Sequence, residues 1–120
     1  MPELPETLRP HLTAPTHVGD LDPPCVEARG ENAACGDELV LRGACRDGRV
    51  ELRFRARACS AVIAVASYVL EELEGRPLAE IAAFDVEAAI DAAGGLPRHR
   101  QHATRVVGRA LAEVVRQLED

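Results

Sequence analysis

The distribution of hydrophobic and polar residues predicts a β-hairpin in the first half of the chain. From residue 50 to residue 56 hydrophobic side chains alternate with charged ones, as in a strand with one face in the core and one in solvent. A second apolar run lies at residues 39–44, and Asp47-Gly48 falls between the two runs. Because Asp-Gly favours a tight hairpin turn, we expect antiparallel strands over residues 39–44 and 49–56, with residues 54–57 beside residues 38–41.

A further strand and a set of helices complete the predicted fold. We expect a short edge strand over residues 25–28 and then a loop bracketed by Gly30 and Gly36. Helices are expected over residues 60–73, which are apolar nearly all round, over 78–92, and over 99–118, which carry an apolar stripe. Strands followed by helices predict an α+β fold, in which a three-stranded antiparallel sheet packs against a layer of helices.

Length and composition indicate a single domain with an aliphatic core. A chain of 120 residues can bury a sizeable core without disulfide bonds. Aromatic residues make up only 2% of the chain and tryptophan is absent, so Leu, Val, Ile and Ala must fill the interior. Proline occurs repeatedly among the first ten residues, and we therefore expect a flexible N-terminus or short helix over residues 1–14 and one domain over residues 15–120.

The charge balance argues against a nucleic-acid-binding protein, which would be basic and would offer aromatic side chains for stacking. The net charge is −6. Arginines cluster between Arg42 and Arg57, and we interpret them first as the solvated face of a strand and second as a face that docks a partner. No signal-peptide pattern is present, and no apolar run approaches the ~20 residues that span a bilayer. We therefore expect a cytoplasmic protein without membrane contact.

The four cysteines favour metal or redox chemistry over disulfide bonds in such a protein. The predicted hairpin brings Cys35, Asp37 and Cys59 to the same end of the sheet, and thiolates bind zinc and iron–sulfur centres strongly. Cys59 begins the first long helix, where the helix dipole stabilises a thiolate; a ligand and a buried structural cysteine remain equally open there. Cys25 and Cys45 are interpreted as packing residues.

Two histidines stand near the start of the last predicted helix. His99 and His102 are three residues apart and should project from one side of it. Histidines at such positions are more often solvated than ligating, so His102 becomes a candidate ligand only if the helix start meets the corner that holds Cys35 and Cys59. No arrangement of nucleophile, base and acid is evident, and no catalytic residue is assigned.

Several motifs, in order along the chain, resemble the IscU/NifU-type iron–sulfur cluster assembly scaffold family. The resemblance extends from about residue 11 to residue 118. The motifs are Pro15-Thr16-His17-Val18-Gly19, Ala34-Cys35-Gly36-Asp37, residues 58–67 around Cys59, Gly94-Gly95-Leu96-Pro97, and His102 followed by Gly108-Arg109-Ala110-Leu111. The resemblance implies the same α+β fold. It also implies a scaffold on which a cysteine desulfurase delivers sulfur, a transient [2Fe-2S] cluster is assembled, and apo iron–sulfur acceptor proteins receive it.

The family's ligand set is incomplete in this chain. Its third cysteine, a cluster ligand and the usual sulfur acceptor, should follow His102, where Ala103 stands. The remaining set is Cys35, Asp37, Cys59 and His102, which can hold Zn2+ or Fe2+ tetrahedrally or a [2Fe-2S] cluster with mixed ligation, as imidazole replaces thiolate in Rieske centres.

We therefore expect a scaffold-like protein that is not an enzyme. Ala103 favours one alternative, a zinc-binding regulatory paralogue that cannot assemble clusters. The other alternative is a sulfur-transfer protein with a persulfide on Cys35 or Cys59. Whether the domain forms a homodimer is left open by the sequence.

Overall fold

The computed structural model describes residues 4–120 and confirms the α+β fold. Five α-helices, three strands and one 3-10 turn follow one another within these residues. In chain order they are α1 (Arg9–Thr13), β1 (Val26–Asn32), β2 (Asp37–Arg46), β3 (Arg49–Arg57), α2 (Ser60–Leu73), α3 (Leu78–Ala83), α4 (Val86–Ala92), the 3-10 turn Arg98–Arg100, and α5 (His102–Glu119).

The predicted hairpin is confirmed. The antiparallel sheet has the order β1-β2-β3, and β2 pairs with β3 so that Glu38 lies opposite Arg57 and Leu41 opposite Phe54. Asp47 and Gly48 both have positive φ, 54° and 78°, as a two-residue turn of the twist-matched type requires. Both strands run further than predicted, and the extension places the first residue of β2, Asp37, inside the sheet.

Helices α2 and α5 cover one face of the sheet and enclose the core. Helix α2 has the predicted bounds and is buried on most of its surface. Helix α5 turns its apolar stripe inward, and the stripe includes Ala103, Val106, Val107, Ala110, Leu111, Val114 and Val115. The interior is aliphatic as expected, with Phe54 the one aromatic ring among the largest fully buried side chains of the described residues.

Gly30 was expected to begin a loop, and that prediction is wrong. Strand β1 continues through Gly30 to Asn32. A Cβ atom at Gly30 would lie 2.6 Å from the backbone oxygen of Val106. The glycine therefore allows α5 to approach the sheet closely. Gly43 on β2 has the same role, because a Cβ atom there would lie 2.6 Å from Cγ1 of Val114.

Replacing Gly30 should therefore destabilise the protein strongly. We expect Gly30→Ala to lower the free energy of unfolding by more than about 2 kcal/mol, because a rigid helix backbone must move to admit the methyl group. Gly108→Ala is the matched control, since a Cβ there meets nothing closer than 3.9 Å and alanine favours a helix. Urea denaturation of the two variants measures the difference, and similar losses in both would contradict the close-approach explanation.

The predicted helix over residues 78–92 is two helices. Helix α3 ends at Ala83 and α4 begins at Val86. Between them Asp85 has extended backbone angles, and its Oδ1 accepts a hydrogen bond of 3.0 Å from the N–H of Ala88. This side-chain cap competes with helix continuation. The last helix likewise begins at His102 rather than at residue 99, after the 3-10 turn.

The segment before β1 is packed onto α2. Leu4 and Leu8 are fully buried in the common core, and α1 lies against α2. Ser67 Oγ, inside α2, accepts a hydrogen bond of 2.8 Å from the N–H of Thr16 and lies 2.7 Å from Nδ1 of His11. Residues 1–3 of the predicted N-terminal segment lie outside the described residues, and the domain boundary at residue 15 stays a prediction.

His17, in the turn after this segment, should make folding stability depend on pH. Burial lowers the pKa of His17 below 6.5, with Glu74 partly opposing and Arg53 reinforcing the shift. Below about pH 6.5 the imidazole of His17 therefore binds a proton in the unfolded chain more readily than in the folded protein. The free energy of unfolding decreases as the pH falls. We expect His17→Asn, which suits the positive φ of 64°, to flatten this dependence.

Urea unfolding between about pH 7.5 and pH 5.5 tests this expectation. Val18→Ala is the control, because Val18 is exposed, follows His17 in the chain and has no titratable group, so its replacement should leave the slope of stability against pH as in the parent. A parental slope in His17→Asn would contradict the assignment.

The arginines of the outer sheet face are paired with acidic side chains. Arg55 contacts Asp20 at 2.8 Å, Arg53 contacts Glu74 at 3.1 Å, and Arg42 pairs with Asp20 and, at 2.8 Å, with Glu27. These contacts favour the solvated-face interpretation over a docking face. Across residues 4–120 the structure contains no helix with the length and hydropathy to cross a membrane.

Candidate metal centre

Asp37 links the sheet to the first long helix. It is the first residue of β2, faces the core side and is 2% exposed. Its Oδ1 accepts a hydrogen bond of 2.8 Å from the N–H of Cys59, the residue that caps α2. One carboxylate oxygen thus holds the start of α2, and with it Cys59, against the start of β2.

The second carboxylate oxygen of Asp37 faces the histidine that begins α5. Oδ2 lies 3.0 Å from Nε2 of His102, yet it accepts no hydrogen bond. Nε2 instead has hydrogen-bonding geometry toward Sγ of Cys59, 3.5 Å away. A buried carboxylate oxygen without a hydrogen bond is unusual in a folded protein, and either the imidazole of His102 in its charged form or a bound cation would satisfy it.

Cys35 brings the second thiol to the same corner from an exposed loop. Gly36, with φ 71°, turns the chain between Cys35 and Asp37. Ligand atoms of Cys35, Asp37 and His102 all lie within 4.8 Å of one another. Cys59 is not in that group, but its Sγ lies 3.5 Å from Nε2 of His102. The structure therefore gathers all four predicted residues, and the condition placed on His102, that its helix start meets this corner, is fulfilled.

This donor set fits a borderline or soft metal. Two cysteines, one imidazole and one carboxylate can complete a tetrahedral site for zinc, and thiolates with imidazole also hold iron–sulfur clusters. Cys35 is exposed whereas Asp37 is buried, so the site is closed on the protein side and open to solvent at Cys35. Such a site can exchange its contents with a partner. The ligand assignment itself stays a prediction.

Cys25 and Cys45 lie at the opposite end of the sheet, and His99 is not in the group of close ligand atoms. Cys25 is half-buried, with Sγ 3.8 Å from the carbonyl oxygen of Leu21. Cys45 was interpreted as a packing residue, and that is wrong because it is exposed at the end of β2. His99 is exposed on the 3-10 turn. Among residues 4–120 no second group of three Cys, His, Asp or Glu side chains has ligand atoms so close together.

The alanine at position 103 has no ligand atom. Ala103 is fully buried and continues the apolar stripe of α5. The contact that the sequence did not reveal is the hydrogen bond between Asp37 and Cys59, because it joins residues 22 apart in the chain. The only local feature of the sequence that pointed to this hydrogen bond is the aspartate that follows Cys-Gly at the start of the strand.

The comparisons with known proteins identify relatives over most of the chain. A family model described as the NifU-like N terminal domain matches residues 6–119. The iron–sulfur cluster assembly scaffold protein IscU 1 of Archaeoglobus fulgidus is 27% identical over 106 residues, which cover 88% of this chain and 69% of that protein. The bifunctional protein NifU/MnmA of Rubrobacter xylanophilus is 34% identical over 106 residues, 84% of this chain but only 21% of that protein.

A solved structure shows the same fold. The crystal structure of a nitrogen-fixing NifU-like protein (N-terminal) from Brucella abortus superposes with a TM-score of 0.73 at 20% identity, covering 95% of this chain and 92% of that one. Because the family model spans nearly the whole described chain, this protein belongs to the family of NifU-like N-terminal domains.

Proposed function

We propose that this protein is an iron–sulfur cluster assembly scaffold whose cargo is held by Cys35, Asp37, Cys59 and His102. The observation that carries the proposal is the buried Oδ2 atom of Asp37, which accepts no hydrogen bond although ligand atoms of Cys35, Asp37 and His102 lie within 4.8 Å of one another. The names of the curated relatives, which are scaffold proteins of the IscU type, support it. The protein is then a carrier and not a catalyst with its own turnover.

Each residue has a separate part in holding the cargo. Oδ1 of Asp37 fixes the backbone of Cys59, which leaves Oδ2 free to bind. The thiolates and the carboxylate supply the negative charge that neutralises a metal cation, and the imidazole adds a neutral donor. Cys35, on the exposed loop, is the donor that a partner can reach first.

The partners follow from the cargo. A [2Fe-2S] cluster needs iron and sulfide. The sulfur donor that we propose is a cysteine desulfurase, and an external thiol or other electron donor supplies the two electrons that reduce each persulfide sulfur to sulfide. Apo iron–sulfur proteins in the cytoplasm are the proposed acceptors. A transient site is consistent with one exposed thiol and with only two cysteines, since weaker mixed ligation lets the cluster leave.

Ala103 supports a second candidate function. The third cysteine is replaced by an alanine that is buried in the core. In this second function the site binds zinc alone, and the protein is a regulatory paralogue that does not assemble clusters. Persulfide transfer by Cys35 or Cys59 is the remaining alternative. The three functions differ in what the site holds after exposure to iron and sulfur.

Anaerobic reconstitution with iron, cysteine and a cysteine desulfurase tests the proposal. We expect a visible thiolate-to-iron charge-transfer absorption that is absent from Cys35→Ser and Cys59→Ser. Absence of the chromophore in the parent, with stoichiometric zinc in the untreated protein, would favour the regulatory paralogue. A persulfide found by mass mapping on one cysteine, again without a chromophore, would favour sulfur transfer.

The variant Ala103→Cys sharpens the experiment. If the third thiol is all that the parent lacks, this variant should assemble a cluster where the parent does not. Equal chromophores in parent and variant would show that mixed ligation suffices.

A further inference from the structure

Strand β1 forms one edge of the sheet, and most of the backbone groups along that edge have no partner. Phe54 on β3 forms its backbone hydrogen bonds away from β2, with the segment that precedes β1. Because the direction of hydrogen bonding alternates along antiparallel strands, the two registers of the sheet turn the backbone of Glu27, Arg29 and Glu31 toward the free edge. Gln117 donates to the carbonyl oxygen of Glu27 at 2.9 Å, and the described residues form no other hydrogen bond there.

The opposite edge of the sheet is covered by the chain itself. On β3 the N–H groups of Val50, Leu52 and Phe54 each donate a hydrogen bond of 2.9 Å to residue 17 or to residues 74–76. Strand β1 has no such cover along its free edge. An edge with unpaired N–H and carbonyl groups is a template on which a further strand can pair.

The charged side chains along this edge are poorly paired within one chain. Glu31 lies directly opposite Glu38 on β2, where like charges repel, and it forms no ion pair within residues 4–120. Arg29 is 63% exposed, and its ion pair with Glu27 is 3.6 Å long, whereas Arg42 contacts the same carboxylate at 2.8 Å. Strand β1 therefore presents an unpaired carboxylate and a weakly paired guanidinium two residues apart on one face.

We propose that two copies of this protein pair through β1, antiparallel and about a two-fold axis at Gly30. In this register Arg29 of each copy lies opposite the partner's Glu31, and each such pair also exchanges two backbone hydrogen bonds. Charges on an exposed edge usually oppose pairing, but here opposite charges meet on both sides of the axis. An axis at Arg29 would oppose like charges, and an axis at Ala28 would leave Glu31 without a partner.

Sedimentation equilibrium of the intact, metal-free protein tests the proposal. We expect a monomer–dimer equilibrium that Arg29→Glu and Glu31→Arg each weaken by about tenfold or more, because each variant places like charges opposite one another on both sides of the axis. An equimolar mixture of the two variants should regain the parental affinity, since all opposed charges are then of opposite sign.

Arg76→Glu is the matched control for the charge change. The side chain of Arg76 is 44% exposed, and its carbonyl oxygen accepts a hydrogen bond from the N–H of Val50 at the covered edge of the sheet. The variant should change the dissociation constant of the dimer by less than about twofold.

Glu31→Pro separates edge pairing from folding. The N–H of Glu31 points away from β2, so proline removes hydrogen bonds of the dimer without removing one from the sheet of a single chain. We expect this variant to be monomeric, with a circular dichroism spectrum like that of the parent.

Four results would overturn the proposal. They are a parent that stays monomeric at every concentration, which would leave the edge to a strand of another protein, a dimer that Glu31→Pro does not weaken, a mixture of the two charge variants that stays monomeric, and equal weakening by Arg76→Glu. None of these residues is a proposed ligand. Each variant should therefore bind zinc like the parent, so a failure of pairing is distinguishable from a failure of the proposed metal centre.

Discussion

The Cys59→Ser variant should lose metal and cluster binding, with zinc affinity falling about 100-fold or more. A serine hydroxyl fills the same volume but stays protonated near neutral pH, so it replaces a thiolate poorly as a ligand. Sγ of Cys59 lies 3.5 Å from Nε2 of His102, and its loss leaves one thiol in the set. Zinc titration with metal analysis, and the absorbance of the reconstituted protein, measure the effect.

Cys25→Ser is the matched control for this variant. Cys25 is half-buried beside the carbonyl oxygen of Leu21 and belongs to no group of close ligand atoms among the described residues. Its replacement should leave metal content and absorbance unchanged. A similar loss in both variants would mean that the cysteines act through the general fold, and the proposed ligand set would have to be abandoned.

Asp37→Asn should have opposite effects on metal binding and on the stability of the metal-free protein. The amide oxygen can still accept the hydrogen bond from the N–H of Cys59, while the buried charge at Oδ2 disappears. The amide nitrogen that replaces Oδ2 can donate a hydrogen bond to Nε2 of His102, 3.0 Å away, and an unsatisfied buried polar atom costs about 1–3 kcal/mol, so we expect the free energy of unfolding to rise by about 1 kcal/mol. Zinc affinity should fall about 100-fold, because a neutral amide is a poor substitute for a carboxylate ligand.

Two further substitutions separate the parts that Asp37 plays. Asp37→Ala also removes the acceptor for the N–H of Cys59, so its metal-free form should be less stable than that of Asp37→Asn, with metal binding lost in both. Glu38→Gln changes the exposed carboxylate next in the chain and should alter neither quantity. If Asp37→Asn destabilised the metal-free protein, the carboxylate would be a structural cap and not a group kept for its ligand chemistry.

Local sequence determined the sheet and the corner on which the candidate site is built. A two-residue Asp47-Gly48 turn sets the register of β2 on β3, because hairpin register depends on the turn itself. That register places Asp37, and the loop that holds Cys35, at the same end of the sheet as Cys59. The bounds of α2 were also predictable from the local sequence, because the apolar run between Cys59 and Gly75 is buried when it forms one central helix. The motifs around these residues also sufficed to indicate the family.

Tertiary structure decided what the distant segments do at that corner. His102 becomes part of the site because α5 docks on the sheet, and the docking depends on close approach at Gly30 and Gly43, which no local pattern expresses. The different contacts of the two oxygens of Asp37 arise in the same way. Turn chemistry and periodicity specify neighbours in the chain, whereas contacts between segments far apart in sequence exist only once the helices pack.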